Sequence, residues 1–136
     1  MSKSFSVPQA VRNAAKRGLE LRKEHKRGGF DGKQAKRAGV GSGVQRASDL
    51  ISGSVSYETV KRMKSFFARH SAYKEHHSDR SSAAYISWQL WGGNAGERWA
   101  NRIVREEEAR REREKKSVRK ALDSFIALGE DNGLAR

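Results

Sequence analysis

Apolar side chains recur at helical spacing through most of this 136-residue sequence. The clearest case lies between Ser56 and His70, where Ser56 is a favourable N-cap and Glu58 places a negative charge in the first turn. The opposite side of this helix is mostly basic. The pattern therefore predicts a helix with a charged outer face and an aromatic inner face. The inner-face residues are Val60, Met63, Phe66, Phe67 and His70.

A first helix is predicted from Pro8 to about Lys26, because proline is tolerated at the first helical position. Small residues between Val7 and Leu21 form its inner stripe. Arg12, Lys16 and Lys23 lie together on another side. Charged helix faces are usually solvated, but few acidic residues accompany these cations. Contact with phosphates is therefore a second interpretation of this stripe.

Residues 27–43 are glycine-rich and basic and predict a flexible loop, with a short helix over Lys33 to Ala38. The run Gly39 to Gly43 resembles a phosphate-binding loop, but it follows no strand and precedes no Lys-Ser/Thr pair. A nucleotide site is therefore not favoured. A second helix is predicted from Gly43 to Ile51. A short glycine-containing turn joins it to the Ser56–His70 helix, which makes the two a helix-turn-helix candidate.

The stretch Ser71 to Arg80 is polar and predicts a loop. It contains His76 and His77, but no cysteine and few acids are near, so solvated side chains are favoured over a metal site. His70 is predicted to be a packed or capping histidine rather than a catalytic one.

A compact apolar helix is predicted from Ser81 to Trp91, with Gly92-Gly93 ending it. Asn94 is predicted to cap the next helix, with Glu97 completing a capping-box-like pair. Three closely spaced tryptophans are predicted to be the centre of the core, and base stacking on an exposed one is the alternative. They are Trp88, Trp91 and Trp99.

From Arg105 to Lys116 nearly every residue is charged, with acids and bases at spacings that support a solvated helix. Ser117 either starts a new segment or continues this helix. An apolar stripe follows, Gly129 is predicted to end the helix, and residues 130–136 are a tail. The stripe is expected to pack on the domain or on another chain. Its members are Val118, Ala121, Leu122, Phe125, Ile126 and Leu128.

These elements predict an all-α protein with two parts: a basic helical domain over residues 1–104, and a long charged helix over residues 105–136 with an amphipathic C-terminal end. The sequence has no cysteine, which excludes disulfides and thiolate metal sites. No run of about 18 apolar residues is present, and the N-terminus has no apolar signal-peptide region, so no membrane partner is expected.

The net charge of +13 gives the first indication of what the protein binds. Residues 1–40 hold 11 Lys/Arg against 3 Asp/Glu, a net +8, and residues 94–136 hold 11 against 9, a net +2. An excess of this size favours a polyanionic partner, with nucleic acid ahead of an anionic membrane surface. The charge that would bind it is concentrated early in the chain.

The segment Val55 to Arg62 resembles the start of the recognition helix in lactose-repressor-type regulators, where Val-Ser-Tyr-Gln-Thr-Val-Ser-Arg occurs. The resemblance implies that Tyr57 and Glu58 approach base edges, and that Ser56 and Thr59 contact a phosphate. Glu58 stands where that family has a base-reading glutamine.

A second resemblance covers most of residues 7–105. The chain is similar to a small basic helical domain that recurs in tailed-phage and prophage proteins, which implies a phage origin without implying a mechanism. The similarity is carried by Val7-Pro8-x-x-Val11, Ala15 to Arg22, Arg46-Ala47-x-x-Leu50, Ser56-x-Glu58-Thr59-Val60-x-Arg62-Met63, Phe66 to His70 and Trp88-x-x-Trp91-Gly92-Gly93-x-Ala95-Gly96-x-x-Trp99-Ala100.

We therefore expect a phage-encoded nucleic-acid-binding protein in the host cytoplasm or the virion, with duplex DNA as the first partner. The alternative is a virion or assembly protein that docks through its C-terminal helix on a second copy or on a phage or host protein. An enzyme is not expected, because only His70, His76, His77 and Asp79 suggest a nuclease and no catalytic pattern joins them. No cofactor or metal is predicted.

The predicted nucleic-acid-binding residues are Arg12, Lys16, Lys23, Lys26, Arg27, Lys33, Lys36, Arg37, Tyr57, Glu58, Lys61, Arg62, Ser65 and Arg69. The predicted partner-binding residues are Val118, Leu122, Phe125 and Ile126.

Overall fold

Helices make up most of the protein, which confirms the predicted all-α class. The structure is a computed structural model that describes residues 3–38 and 42–134. The phosphate-loop-like positions 39–41 and the last two residues of the predicted tail lie outside the described residues. The elements are β1 (Ser4–Ser6), α1 (Gln9–His25), α2 (Gly32–Ala38), α3 (Gly43–Ile51), β2 (Ser54–Ser56), α4 (Tyr57–His70), a 3-10 helix (Ser71–Ser78), α5 (Ala83–Leu90) and α6 (Gly93–Leu134).

Contacts between Cα atoms divide the chain into two units, Met1–Val104 and Arg105–Arg136. Unit 1 contains the hydrophobic core and all elements from β1 to the first turns of α6. Unit 2 is the remainder of α6. No helix in the described part of the chain is long and apolar enough to cross a membrane.

The core of unit 1 lies between the inner face of α4 and the tryptophans. Phe66 and Trp91 stack with ring centroids 4.4 Å apart, and Phe67 meets Trp88 edge-on at 4.7 Å. The predicted aromatic face and tryptophan core are therefore confirmed. All three tryptophans are buried, with at most 6% of Trp91 exposed, so the alternative of base stacking on an exposed tryptophan is wrong.

Helix α1 packs closely on α5 because Gly18 removes a side chain at the contact. A Cβ on Gly18 would stand 2.6 Å from the backbone nitrogen of Leu90. Val11, Ala14 and Ala15 complete the buried stripe of α1. Small residues thus let the two helix backbones approach.

Serine side chains mark where three helices begin. Ser42, Ser56 and Ser82 accept hydrogen bonds from the backbone N–H three residues later, at the starts of α3, α4 and α5. The predicted N-cap of α4 is confirmed. Pro8 is itself the N-cap of α1 rather than its first helical residue.

Asn94 does not cap α6, which is a correction to the sequence prediction. The helix already begins at Gly93, and the Asn94 side-chain oxygen accepts a hydrogen bond from the Trp88 indole N–H at 2.8 Å. A buried indole donor needs a partner, and the exposed Asn94 supplies it at the edge of the core.

Two short strands and a 3-10 helix were not predicted. β1 pairs antiparallel with β2, with Phe5 opposite Val55. Strands of three residues are too short to show an alternating pattern. Residues 71–78, predicted as a loop, form a 3-10 helix.

Helix α6 runs through Ser117 and Gly129 to Leu134, so the prediction that Gly129 ends it is wrong. A glycine ends a helix by adopting a positive φ, and Gly129 does not. No atom lies within 4 Å of the position of a Cβ on Gly129, so the residue sits in an open stretch of helix.

Candidate nucleic-acid interface

The predicted basic stripe of α1 is present on the surface of unit 1. Lys16 and Lys23 are exposed and Arg12 is half-buried. At 100° and about 1.5 Å per residue, the three side chains lie on one side of the helix over about 16 Å. None of them lies within 4.0 Å of a carboxylate among the described residues. The carbon of the Arg12 guanidinium is 3.9 Å from the position of a Cβ on Gly53, so the stripe begins at the turn before α4.

The first part of the glycine-rich loop after α1 is hydrogen-bonded to the rest of unit 1. The Gly29 N–H donates to Ser87 Oγ at 2.8 Å, and the Phe30 carbonyl accepts from Ser42 Oγ and the Val44 N–H. Gly28 has φ +96°, and a Cβ on it would stand 2.5 Å from the side chain of Ile86. The loop therefore packs directly on α5, with the exposed Lys26 and Arg27 just before it.

Helix α2 presents three further cations. Lys33, Lys36 and Arg37 are exposed, while Ala35 of the same helix is buried. Asp31 accepts the Gln34 N–H at 2.8 Å and so caps the start of α2. The Gln34 side chain also accepts a 3.5 Å hydrogen bond from Arg22, which ties α2 to α1.

The outer face of α4 carries the predicted residues, with one internal ion pair. Lys61 Nζ lies 2.7 Å from Glu58 Oε1, so these two charges largely cancel. Arg62, Ser65 and Arg69 are exposed. Neither arginine has a carboxylate within 4.0 Å in the described chain. The available positive charge of this face is therefore at Arg62 and Arg69.

Tyr57 does not fit its predicted role at base edges. Its side chain is 7% exposed, and its ring packs 6.0 Å from that of Phe5 on β1. The strand pair that the sequence did not reveal is the reason, because it brings Phe5 over the start of α4. Tyr57 is a core residue, and base contact by its ring is a wrong prediction.

The phosphate-contacting pair implied by the repressor resemblance is engaged inside the protein. Ser56 Oγ lies 3.3 Å from Thr59 Oγ1, and Thr59 Oγ1 accepts a 3.3 Å hydrogen bond from Arg46. The chain between α3 and α4 contains β2, which pairs with β1. The two helices are therefore joined by a turn at Ser52-Gly53 followed by the paired strand β2.

Arg46 is a buried residue that sequence reasoning did not single out. Its guanidinium donates to Asp49 at 3.2 Å and lies 5.1 Å from the centroid of the Trp91 ring. Burial lowers the pKa of Arg46, opposed by Asp49 and reinforced by Arg62. The burial of Arg46 could have been predicted from helical spacing, since position 46 lies on the same side of α3 as the buried positions 43, 47 and 50.

A cleft of about 470 Å³ lies where the glycine loop meets α4 and α5. It is lined by Gly28 to Phe30 from the loop, by Phe66, Arg69 and His70 from α4, and by Ser87 and Trp91 from α5. The cleft places Arg69 beside the loop that follows Lys26 and Arg27. It thus brings the basic face of α4 next to the early basic segment.

The predicted histidines occupy three different environments. His70 stacks on Phe66 at 4.1 Å and its Nδ1 lies 3.0 Å from the Phe66 carbonyl, so it is packed as predicted. His76 is exposed, and His77 lies 5.0 Å from the Trp88 ring. Burial, with Lys74 and His76 nearby, lowers the pKa of His77. No group of three or more His, Asp or Glu side chains in the described residues could hold a metal ion.

The predicted partner-binding residues of unit 2 are strongly exposed. Val118 is 63% exposed, Leu122 54%, Phe125 74% and Ile126 47%. Before them, Arg110 and Arg111 pair with Glu107 at 2.7 and 3.3 Å. The ion pairs stabilise the helix, and the apolar stripe is left open to solvent.

No protein-family model, curated protein or solved structure matches the chain.

Proposed function

We propose that this protein is a non-enzymatic nucleic-acid-binding protein whose unit 1 grips the phosphate backbone. Duplex DNA is the first partner. Its setting is the host cytoplasm or a virion, in keeping with the resemblance of residues 7–105 to a phage domain.

One observation carries this proposal: exposed cations on α1, α2 and α4 have no carboxylate within 4.0 Å among the described residues. Lys61 forms an ion pair with Glu58, whereas no described carboxylate lies within 4.0 Å of the cations at positions 16, 23, 36 and 69. Holding like charges together disfavours folding unless an anionic ligand offsets it. Phosphates would be that ligand.

The arrangement supports backbone contact more than base reading. Tyr57 is buried and Glu58 is paired with Lys61, which leaves Arg62 and Ser65 of the predicted base-reading set unpaired on α4. Phosphate contacts position a protein on a duplex without reading its sequence. We therefore propose binding with low sequence preference.

The test compares two variants that lose the same charge. Changing Lys16, Lys23 and Lys36 together to Gln lowers the net charge from +13 to +10, and so does changing Lys115, Lys116 and Lys120 of unit 2. Fluorescence anisotropy with a labelled duplex measures both. We expect about a tenfold or greater loss of affinity in the first variant and less than threefold in the second. Equal losses in the two variants would contradict a specific interface on unit 1.

A second candidate function is assembly through α6, favoured by the exposed apolar stripe of unit 2. The occupant that fits it is a second copy of this chain in antiparallel orientation. Residues 113–120 carry five Lys/Arg and one Glu, whereas residues 123–131 carry three acids and no base. Antiparallel pairing about Leu122 sets the basic half of one helix against the acidic half of the other.

A further inference from the structure

The cleft between the glycine loop, α4 and α5 is lined by aromatic rings and polar groups that contact with phosphates does not require. One cation lines it, Arg69, and the segment that forms its loop wall follows Lys26 and Arg27 in the sequence. No carboxylate is among its lining residues. A ligand there would carry negative charge near Arg69.

The interior of the cleft is aromatic, and one ring has an open face. Phe66 is covered on both sides, by His70 at 4.1 Å and by Trp91 at 4.4 Å, so this stack offers ring edges to the cleft. Phe30 is 41% exposed and packs against no other aromatic ring in the described chain. A flat ligand could therefore stack on Phe30 alone.

Polar groups suited to the edge of such a ligand lie in the same cleft. The Phe66 carbonyl can only accept, so His70 Nδ1 carries the hydrogen and Nε2 is left as an acceptor. The Trp91 indole N–H makes no hydrogen bond to another described residue. The cleft thus offers one donor and one acceptor beside an open aromatic face.

The loop that forms one wall is anchored by hydrogen bonds within the protein. Phe30 is anchored through its carbonyl, which accepts from Ser42 Oγ at 2.8 Å and from the Val44 N–H at 3.1 Å. Its side chain is not needed for these bonds. A preformed site of this kind loses little freedom on binding, and Phe30 can be replaced without removing the loop's anchors.

We infer that this cleft binds an unpaired nucleobase of a nucleic-acid strand. The base stacks on Phe30, its edge meets Trp91 and His70, and the neighbouring phosphate meets Arg69. This inference rests on the proposed function, since the strand is delivered by the phosphate contacts of unit 1. It adds a preference for single strands, strand ends or unpaired positions.

The experiment measures binding of labelled single-stranded oligothymidylate and of a duplex of equal length by fluorescence anisotropy. Phe30→Ala is expected to weaken single-strand binding about tenfold or more and to leave duplex binding within twofold. Phe30→Trp restores the single-strand affinity. Tyr73→Leu is the control, because Tyr73 is also an exposed aromatic, at 53%, and lies 6.0 Å from the His70 ring without itself lining the cleft. It should change neither affinity.

Three results would overturn the inference. Unchanged single-strand affinity in Phe30→Ala, while the native chain still binds duplex, defeats the base site alone. An equal loss for both probes shows that Phe30 acts through the fold. Thymidine monophosphate binding as tightly as the oligonucleotide assigns the cleft to a free nucleotide instead of a strand. If the native chain binds neither probe, the proposed function fails together with the base site.

Discussion

Arg46 places a cation inside unit 1, between α3, α4 and the Trp91 ring of the core. Its hydrogen bond to Thr59 connects α3 with α4, and its hydrogen bond to Asp49 lies within α3. At the residue scale, this side chain links α3 with α4 in addition to the turn and strand between them.

Arg46→Ala is expected to lower the free energy of unfolding by about 2–3 kcal/mol, because it removes two hydrogen bonds, the cation–π contact and buried packing. Arg62→Ala, at an exposed position of α4, should change it by less than about 0.5 kcal/mol. Urea unfolding followed by tryptophan fluorescence measures both. Similar effects for the two variants would show that Arg46 is not a structural residue.

His77 gives the fold a pH dependence on the acid side. Burial against the tryptophan core lowers its pKa in the folded state, while in the unfolded chain it titrates near its ordinary value of about 6.5. The unfolded state therefore binds the proton more readily. The stability that neutral His77 contributes is fully present above about pH 6.5 and is lost as the pH falls below it.

His77→Gln should accordingly reduce the drop in thermal midpoint between pH 7.5 and pH 5.5, whereas His76→Gln, which removes only the smallest of the three causes of the His77 shift, should reduce that drop less. Differential scanning fluorimetry at the two pH values compares the variants. A drop of the same size in His77→Gln and the native protein would mean that other groups carry the dependence.

At the scale of elements, the contact of α1 with α5 depends on the absence of a side chain at Gly18. Gly18→Ala puts a Cβ 2.6 Å from backbone atoms that cannot move independently, so we expect a loss of about 2 kcal/mol or more in stability. Gly32→Ala is the control, because nothing lies within 4 Å of its Cβ position at the start of α2. Alanine there should be neutral or stabilising by up to about 1 kcal/mol. Chemical unfolding of both variants measures this difference, and equal effects would contradict the close packing.

Those elements also show what local sequence can predict. The helices α3, α4 and α5 begin near their predicted positions because serine caps and helical apolar spacing act within a few residues. The β1–β2 pair joins residues about 50 positions apart and has three residues per strand, so no local pattern reveals it. The burial of Tyr57 follows from that pairing and was missed with it.

The sequence predicts the exposed cations of the candidate interface but not the cleft beside them. Exposed cations follow from charge and helical spacing, and Lys16, Lys23, Lys36 and Arg62 are where the sequence places them. The cleft requires three separated segments to meet, and the anchoring of Phe30 depends on hydrogen bonds to Ser42 and Val44. The spacing of residues along a single helix predicts neither the cleft nor the anchoring of Phe30.

At the scale of the whole molecule, the open stripe of unit 2 predicts self-association. Leu122→Glu with Phe125→Glu should convert a concentration-dependent dimer to a monomer, because it places charge at the centre of the apolar stripe. Ser124→Glu with Ala127→Glu adds the same charge on the opposite side of the helix and should leave the dimer intact. Sedimentation velocity over a range of concentrations distinguishes the variants. A native chain that is monomeric at every concentration would contradict pairing through α6.

The central claim is that unpaired cations of unit 1 bind phosphates, and the salt dependence of duplex binding tests it most directly. The logarithm of the association constant should fall linearly with the logarithm of the NaCl concentration, by about 0.9 for each phosphate contacted. We expect a slope steeper than about −3 for the native chain. It should become shallower by about 2 to 3 when Lys16, Lys23 and Lys36 are changed to Gln. A slope near zero, or one that the triple change leaves unaltered, would contradict the claim.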